Sequence, residues 1–179
     1  MIIAGCTDGH KGKSHDGTMP NIKQAAARVF DLAVDKPEYA LLVIDSLKTE
    51  GLPDYEADWL RARVYTSSLE GKWLDSAIVI GERLMQLQVA KENLEYRQDV
   101  LEILINTCRQ NHDDRRTLKW TAEIVTLCRQ NSEDVDAMRW QAEEGVALTH
   151  VGREQEGLAK IDSALSVFTG VSYGIIQRI

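Results

Sequence analysis

From Pro20 onward, apolar residues recur at three- and four-residue steps, and short breaks rich in Gly, Asn and Asp interrupt them. The stripes are Ala40, Val43, Ile44 and Leu47; Leu74, Ala77, Ile78, Gly81 and Leu84; Val100, Leu101, Leu104 and Ile105; and Leu158, Ile161, Leu165 and Phe168. This spacing places each set on one face of a helix, and no alternating strand pattern competes with it. The breaks divide the chain into predicted helices at 21–33, 37–50, 54–69, 73–89, 92–110, 114–130, 134–150 and 154–168. Start signals agree: Pro37 stands in a first turn, Asp54 opens another helix, and Asn131-Ser132-Glu133-Asp134 puts capping and acidic groups where free N–H groups point.

Connections this short force consecutive helices to fold back as antiparallel neighbours. The breaks near Asp35, Gly71, Asn111 and Gly152 fall 36, 40 and 41 residues apart, which reads as a helix hairpin repeated four times. The expected fold class is therefore all-α, with the repeats filling 21–169. Composition supports a packed body, since hydrophobic residues make up 44% of the chain and there are only three prolines. A formal net charge of -7 opposes attraction to phosphate backbones, so nucleic acid is not an expected partner. No stretch is apolar for the ~18 to 20 residues that a membrane-spanning helix requires.

The last repeat carries Gly145, Leu148, Gly152, Gly157, Ile161 and Ala164. Each has a packing reason: Gly145 and Gly157 lack a side chain where two helices approach closely, Gly152 suits the turn, and Ala164 admits a neighbouring hairpin. In this it resembles the tetratricopeptide repeat, and the second helix of the first repeat is similar through Ala40, Ile44 and Leu47. The resemblance implies hairpins stacked as a right-handed α-solenoid whose first helices line a concave groove. Groove positions are then Asp58, Arg61, Tyr65, Gln98, Arg139, Thr149 and His150, with a protein or peptide as the expected ligand.

At the N-terminus, Ile3-Ala4-Gly5-Cys6 resembles the lipobox of bacterial lipoprotein precursors, which implies lipidation of Cys6 and attachment to a membrane. Thr7 to Thr18 carries no apolar residue and has the composition of a flexible tether. Only five residues precede Cys6, fewer than the apolar run of roughly 7 to 15 residues in an export signal, so 1–20 reads as a truncated signal with its tether. Lipobox, tether and degenerate repeats together resemble the extracytoplasmic region of Bacteroidetes lipoproteins and sensor histidine kinases, which implies a periplasmic or surface location and a role in signalling. The competing expectation is a cytosolic adaptor of the same fold, with Cys6 irrelevant.

Nothing in the sequence points to catalysis. It has no phosphate loop, zinc spacing or nucleophile elbow, and no cofactor or metal is expected. Cys108 and Cys128, each in Cys-Arg-Gln-Asn, are expected as buried, unpaired thiols: a helix turn near Asn111 puts them roughly 20 Å apart at 1.5 Å rise per residue. Trp59, Trp73, Trp120 and Trp140 read first as packing between hairpins. The tail at 170–179, with Val171, Tyr173, Ile175, Ile176 and Ile179, is too apolar to cap a stack. It reads as the start of a further helix or an exposed stump, and makes self-association through this end an expectation.

Overall fold

A computed structural model describes the backbone of residues 19–176 and the side chains of residues 26–166. Cys6, the polar stretch behind it, and the side chains of the apolar tail lie outside the described residues. Among those described, every regular element is a helix: α1 (Met19–Ala33), α2 (Pro37–Thr49), α3 (Asp54–Ser67), α4 (Leu74–Leu84), α5 (Gln88–Glu92), α6 (Leu94–Gln110), α7 (Asp114–Gln130), α8 (Asp134–His150) and α9 (Glu154–Ile176). No helix is long and apolar enough to cross a membrane.

Two segments differ from the sequence reading. The helix expected over 73–89 ends at Leu84, and a tightened turn leads into the short α5. Gln86 N–H donates to Arg83 O and Leu87 N–H to Leu84 O, each at 3.1 Å, three residues back instead of four. Leu84, Met85 and Ala90 are all buried, and Leu87 packs on the same core. One straight helix would spread these positions round more than a single stripe, and the break lets all of them point inward. The helix expected to stop at 168 runs on to Ile176.

Turn chemistry repeats along the chain. After α2, α6, α7 and α8 the next segment donates five residues back to the helix: Leu52 to Leu47 O, Asp113 to Cys108 O, Glu133 to Cys128 O and Arg153 to Leu148 O, each at 2.9 Å. The residue before each donor takes a left-handed conformation: Gly51 (φ 104°), His112 (φ 55°), Ser132 (φ 60°) and Gly152 (φ 84°). These are Schellman ends. They explain the duplicated Cys-Arg-Gln-Asn, in which the cysteine carbonyl closes the last turn. The Asn93 and Asp113 side chains then cap α6 and α7, accepting from Tyr96 N–H and Arg116 N–H at 3.0 Å.

The turns fold helices back on one another. α1 packs on α2, α2 on α3, α3 on α4, and so on from α5 through α9; α4 also packs on α6. Helices further apart in sequence meet as well, α1 with α3 and α3 with α6. Two cores result. One joins α1, α2 and α3 through Val29, Ala40, Ile44, Leu47, Leu60 and Val64; the other spans α4 and α6 to α8 through Ile78, Leu84, Leu101, Leu104, Trp120, Ile124 and Trp140. Trp59 packs against both.

At the α8–α9 hairpin the expected close approach is present. A Cβ on Gly157 would lie 2.5 Å from Gly145 O, and one on Gly145 would lie 2.7 Å from Gly157 O. Ala164 is fully buried. Cys108 and Cys128 are buried and unpaired in the larger core, and burial pushes their thiols up to about 12 and about 11.

Candidate binding groove

α3 is buried at Ala57, Leu60, Ala62 and Val64, positions that wrap round the helix because α1, α2, α4 and α6 all pack on it. Facing α6 is a strip of larger, half-buried side chains: Tyr55, Trp59, Arg63 and Thr66. Tyr55 meets Tyr96 of α6 edge-to-face with centroids 5.9 Å apart. Arg63 reaches Asp99 at 3.7 Å, and the hydroxyls of Thr66 and Thr107 lie 2.6 Å apart. Arg63 also sits over the Trp59 ring at 5.3 Å.

The strip continues from α6 to α8. Arg139 reaches Glu102 at 3.5 Å and Asp136 at 3.8 Å, and Arg109 forks onto both oxygens of Glu143 at 3.1 Å. Asp99 and Glu102 stand one turn apart on α6 between the cations of α3 and α8. Burial holds both carboxyls above their ordinary range; Arg63 partly offsets this at Asp99, and Arg139 and Arg63 at Glu102.

Two cavities open along the α3–α6 seam. One of about 280 Å³ lies at the Tyr55 and Tyr96 end, walled by Trp59, Glu56, Asp99, Asn93 and aliphatic groups from α1, α5 and the α2–α3 turn. The other, about 660 Å³, lies at the far end against Arg63, Thr66, Ser68, Leu74, Ile103, Asn106 and Gln110. The seam is thus a groove with an aromatic, acidic end and a polar end.

The residues singled out from sequence are spread over several surfaces. Arg139 lies on the α6–α8 strip. Asp58 and Arg61 face α2 and α4, where Arg61 pairs with Asp45 at 2.5 Å and with Asp58 at 3.3 Å, and Arg83 pairs with Asp58 at 2.6 Å. Tyr65 stacks against Trp73 at 5.3 Å, and Gln98 is half-buried on α6. Thr149 lies in the α8–α9 seam, where its methyl group would meet a Cβ on Gly157 at 2.6 Å. His150 bonds Asp114 of α7 at 3.0 Å. Sequence reasoning did not single out Arg63, Asp99 and Glu102, and it read Trp59 first as packing. The available signal was the spacing of Tyr55, Trp59 and Arg63 at four-residue steps, the same helical stripe written in amphipathic residues.

Among the described residues, no group of three or more His, Cys, Asp or Glu side chains is placed to hold a metal ion. No protein-family model, curated protein or solved structure matches the chain.

Proposed function

We propose that this chain is a tetratricopeptide-like binding domain that takes a peptide or protein segment along the face shared by α3, α6 and α8. The observation that carries the reading is the α3–α6 seam, where two cavities flank a cross-helix contact and half-buried carboxylates alternate with arginines. The packing of α1 on α3 and α3 on α6 supports a stack in which first helices follow one another, as the repeat resemblance implies. Polar groups lining a channel between apolar walls suit an extended main chain, which must satisfy its own N–H and C=O groups on binding. Anchorage through Cys6, an extracytoplasmic location and a role in signalling belong to the same proposal and rest on Ile3-Ala4-Gly5-Cys6 with its polar tether.

Selection of short random peptides on the purified protein tests the groove. Selected peptides are expected to lose at least about tenfold in affinity on Glu102→Lys and Arg139→Glu. Affinity should be unchanged on Glu82→Lys, which alters a pair between α4 and α7 on another surface. Equal loss from Glu82→Lys, or failure to select any peptide, removes the groove reading. Anchorage is tested separately: with an export signal restored, labelled fatty acid should enter the protein and Cys6→Ser should abolish the label. Persistent membrane association of that variant would overturn it.

A further inference from the structure

The cavity at the aromatic end of the seam has an unusual balance of walls. Tyr55, Trp59 and Tyr96 give it three aromatic rings, Glu56 and Asp99 give it two carboxylates, and among the described residues no basic side chain lines it. The Asp99 carboxylate accepts no hydrogen bond among the described residues, and its nearest cation, Arg63, stands at 3.7 Å, beyond hydrogen-bond reach. Glu56 accepts from the Tyr55 hydroxyl at 3.1 Å, which leaves most of its acceptor capacity unused. Burial first, and then the carboxylates of Glu56, Asp58 and Asp99, hold the Tyr96 hydroxyl protonated. Half-buried carboxylates with acceptor capacity to spare, beside rings whose faces attract positive charge, lower the energy of a cation placed between them.

We infer that this cavity is the anchor subsite for an arginine side chain of the bound segment, its guanidinium stacked on the aromatic walls and hydrogen-bonded to Asp99 and Glu56. Guanidinium fits better than ammonium because it is planar, weakly hydrated and able to fork onto carboxylates. The chain already makes this contact internally, with Arg63 over Trp59 at 5.3 Å. A volume of about 280 Å³ suits one long side chain and not a folded element. The inference rests on the groove reading, since it supplies the residue that would fix the register of a peptide along α3 and α6.

The test uses two capped tripeptides, acetyl-Gly-Arg-Gly-amide and its citrulline counterpart, which has the same shape without the charge, titrated into the whole chain and followed by amide and indole NMR shifts. The arginine probe should move the Trp59 indole signal and the Tyr96 and Val89 amides saturably. The citrulline probe should bind at least about tenfold more weakly, the size of one charge-assisted hydrogen bond. Glu56→Gln and Asp99→Asn should each weaken the arginine probe by a similar factor, with unchanged helical content showing that both variants fold. Equal binding of the two probes, or shifts spread over acidic surface elsewhere, overturns the subsite. Selected peptides that bind the α3–α6 face with no preference for arginine would overturn the subsite while leaving the groove standing. A saturable arginine site at Trp59 without any peptide binding would do the reverse.

Discussion

Where α8 meets α9, contact is made by Gly145 and Gly157, whose backbones leave no room for a side chain between them. Where α3 meets α6, contact is made by Tyr55, Trp59, Arg63 and Thr66 against Tyr96, Asp99 and Thr107, large or polar groups that hold the helices apart and leave cavities at both ends. The first seam is stabilised by close backbone packing and can admit nothing. The second lies between two separate cores, with Trp59 packed on both, and is stabilised by rings and charges that could equally contact a ligand. The difference teaches that the cavities along this chain follow from incomplete closure at one junction, while close backbone packing comes from glycine at another.

The closed seam should be the more sensitive. Gly157→Leu inserts a side chain where even a Cβ meets Gly145 O at 2.5 Å, and is expected to cost about 3 kcal/mol or more, read from the urea midpoint. Hydrogen exchange should show α9 released while α6 and α7 stay protected; a loss below 1 kcal/mol, on the order of a surface change, would mean that the seam can open. The open seam should respond differently. Trp59→Ala removes the side chain packed on both cores, with an expected loss of about 3 kcal/mol. Unfolding should then split into two transitions, because α1 to α3 lose the one side chain that, among the described residues, packs on both cores. A single cooperative transition in this variant would show that α4 couples the cores without Trp59.

Smaller effects separate the turns from the seams. His112 and Ser132 occupy left-handed backbone at φ 55° and 60°, where glycine carries no steric penalty. His112→Gly and Ser132→Gly are each expected to raise stability by about 1 kcal/mol, measured as a higher urea midpoint with an unchanged slope. The smallest effect concerns pH. Burial raises Asp99 and Glu102 in the folded state, so the native protein holds these protons more tightly than the unfolded chain does. Arg63 and Glu95 act on Asp99, and Arg139, Arg63, Asp99 and Asp136 on Glu102. Their contribution is complete below the ordinary carboxylate range and is lost as pH rises through the raised values. The paired variant Asp99→Asn with Glu102→Gln should flatten that decline in a series of denaturation curves, and an unchanged slope would place the titration elsewhere.

The sequence determined most of the helices, because their stripes and breaks are local: a left-handed residue or a capping side chain ends or begins a helix whatever packs on it later. It also determined the α8–α9 contact, since Gly145 and Gly157 have no other structural use at that spacing. Two boundaries escaped it, at Leu84 and beyond 168. The former is set by the inward pull of Leu84, Met85 and Ala90 and not by any Gly or Pro. The rotation of α3 was undecidable from the chain, because its buried positions surround it and periodicity then selects no face. Asp58, Arg61 and Tyr65 therefore could not be told from Tyr55, Trp59 and Arg63 as residues of one surface. The aromatic cavity was further out of reach. Its walls come from α1, α3, α5, α6 and the α2–α3 turn, so its shape and its charge exist only once five separate segments, each fixed by its own core contacts, have been brought together.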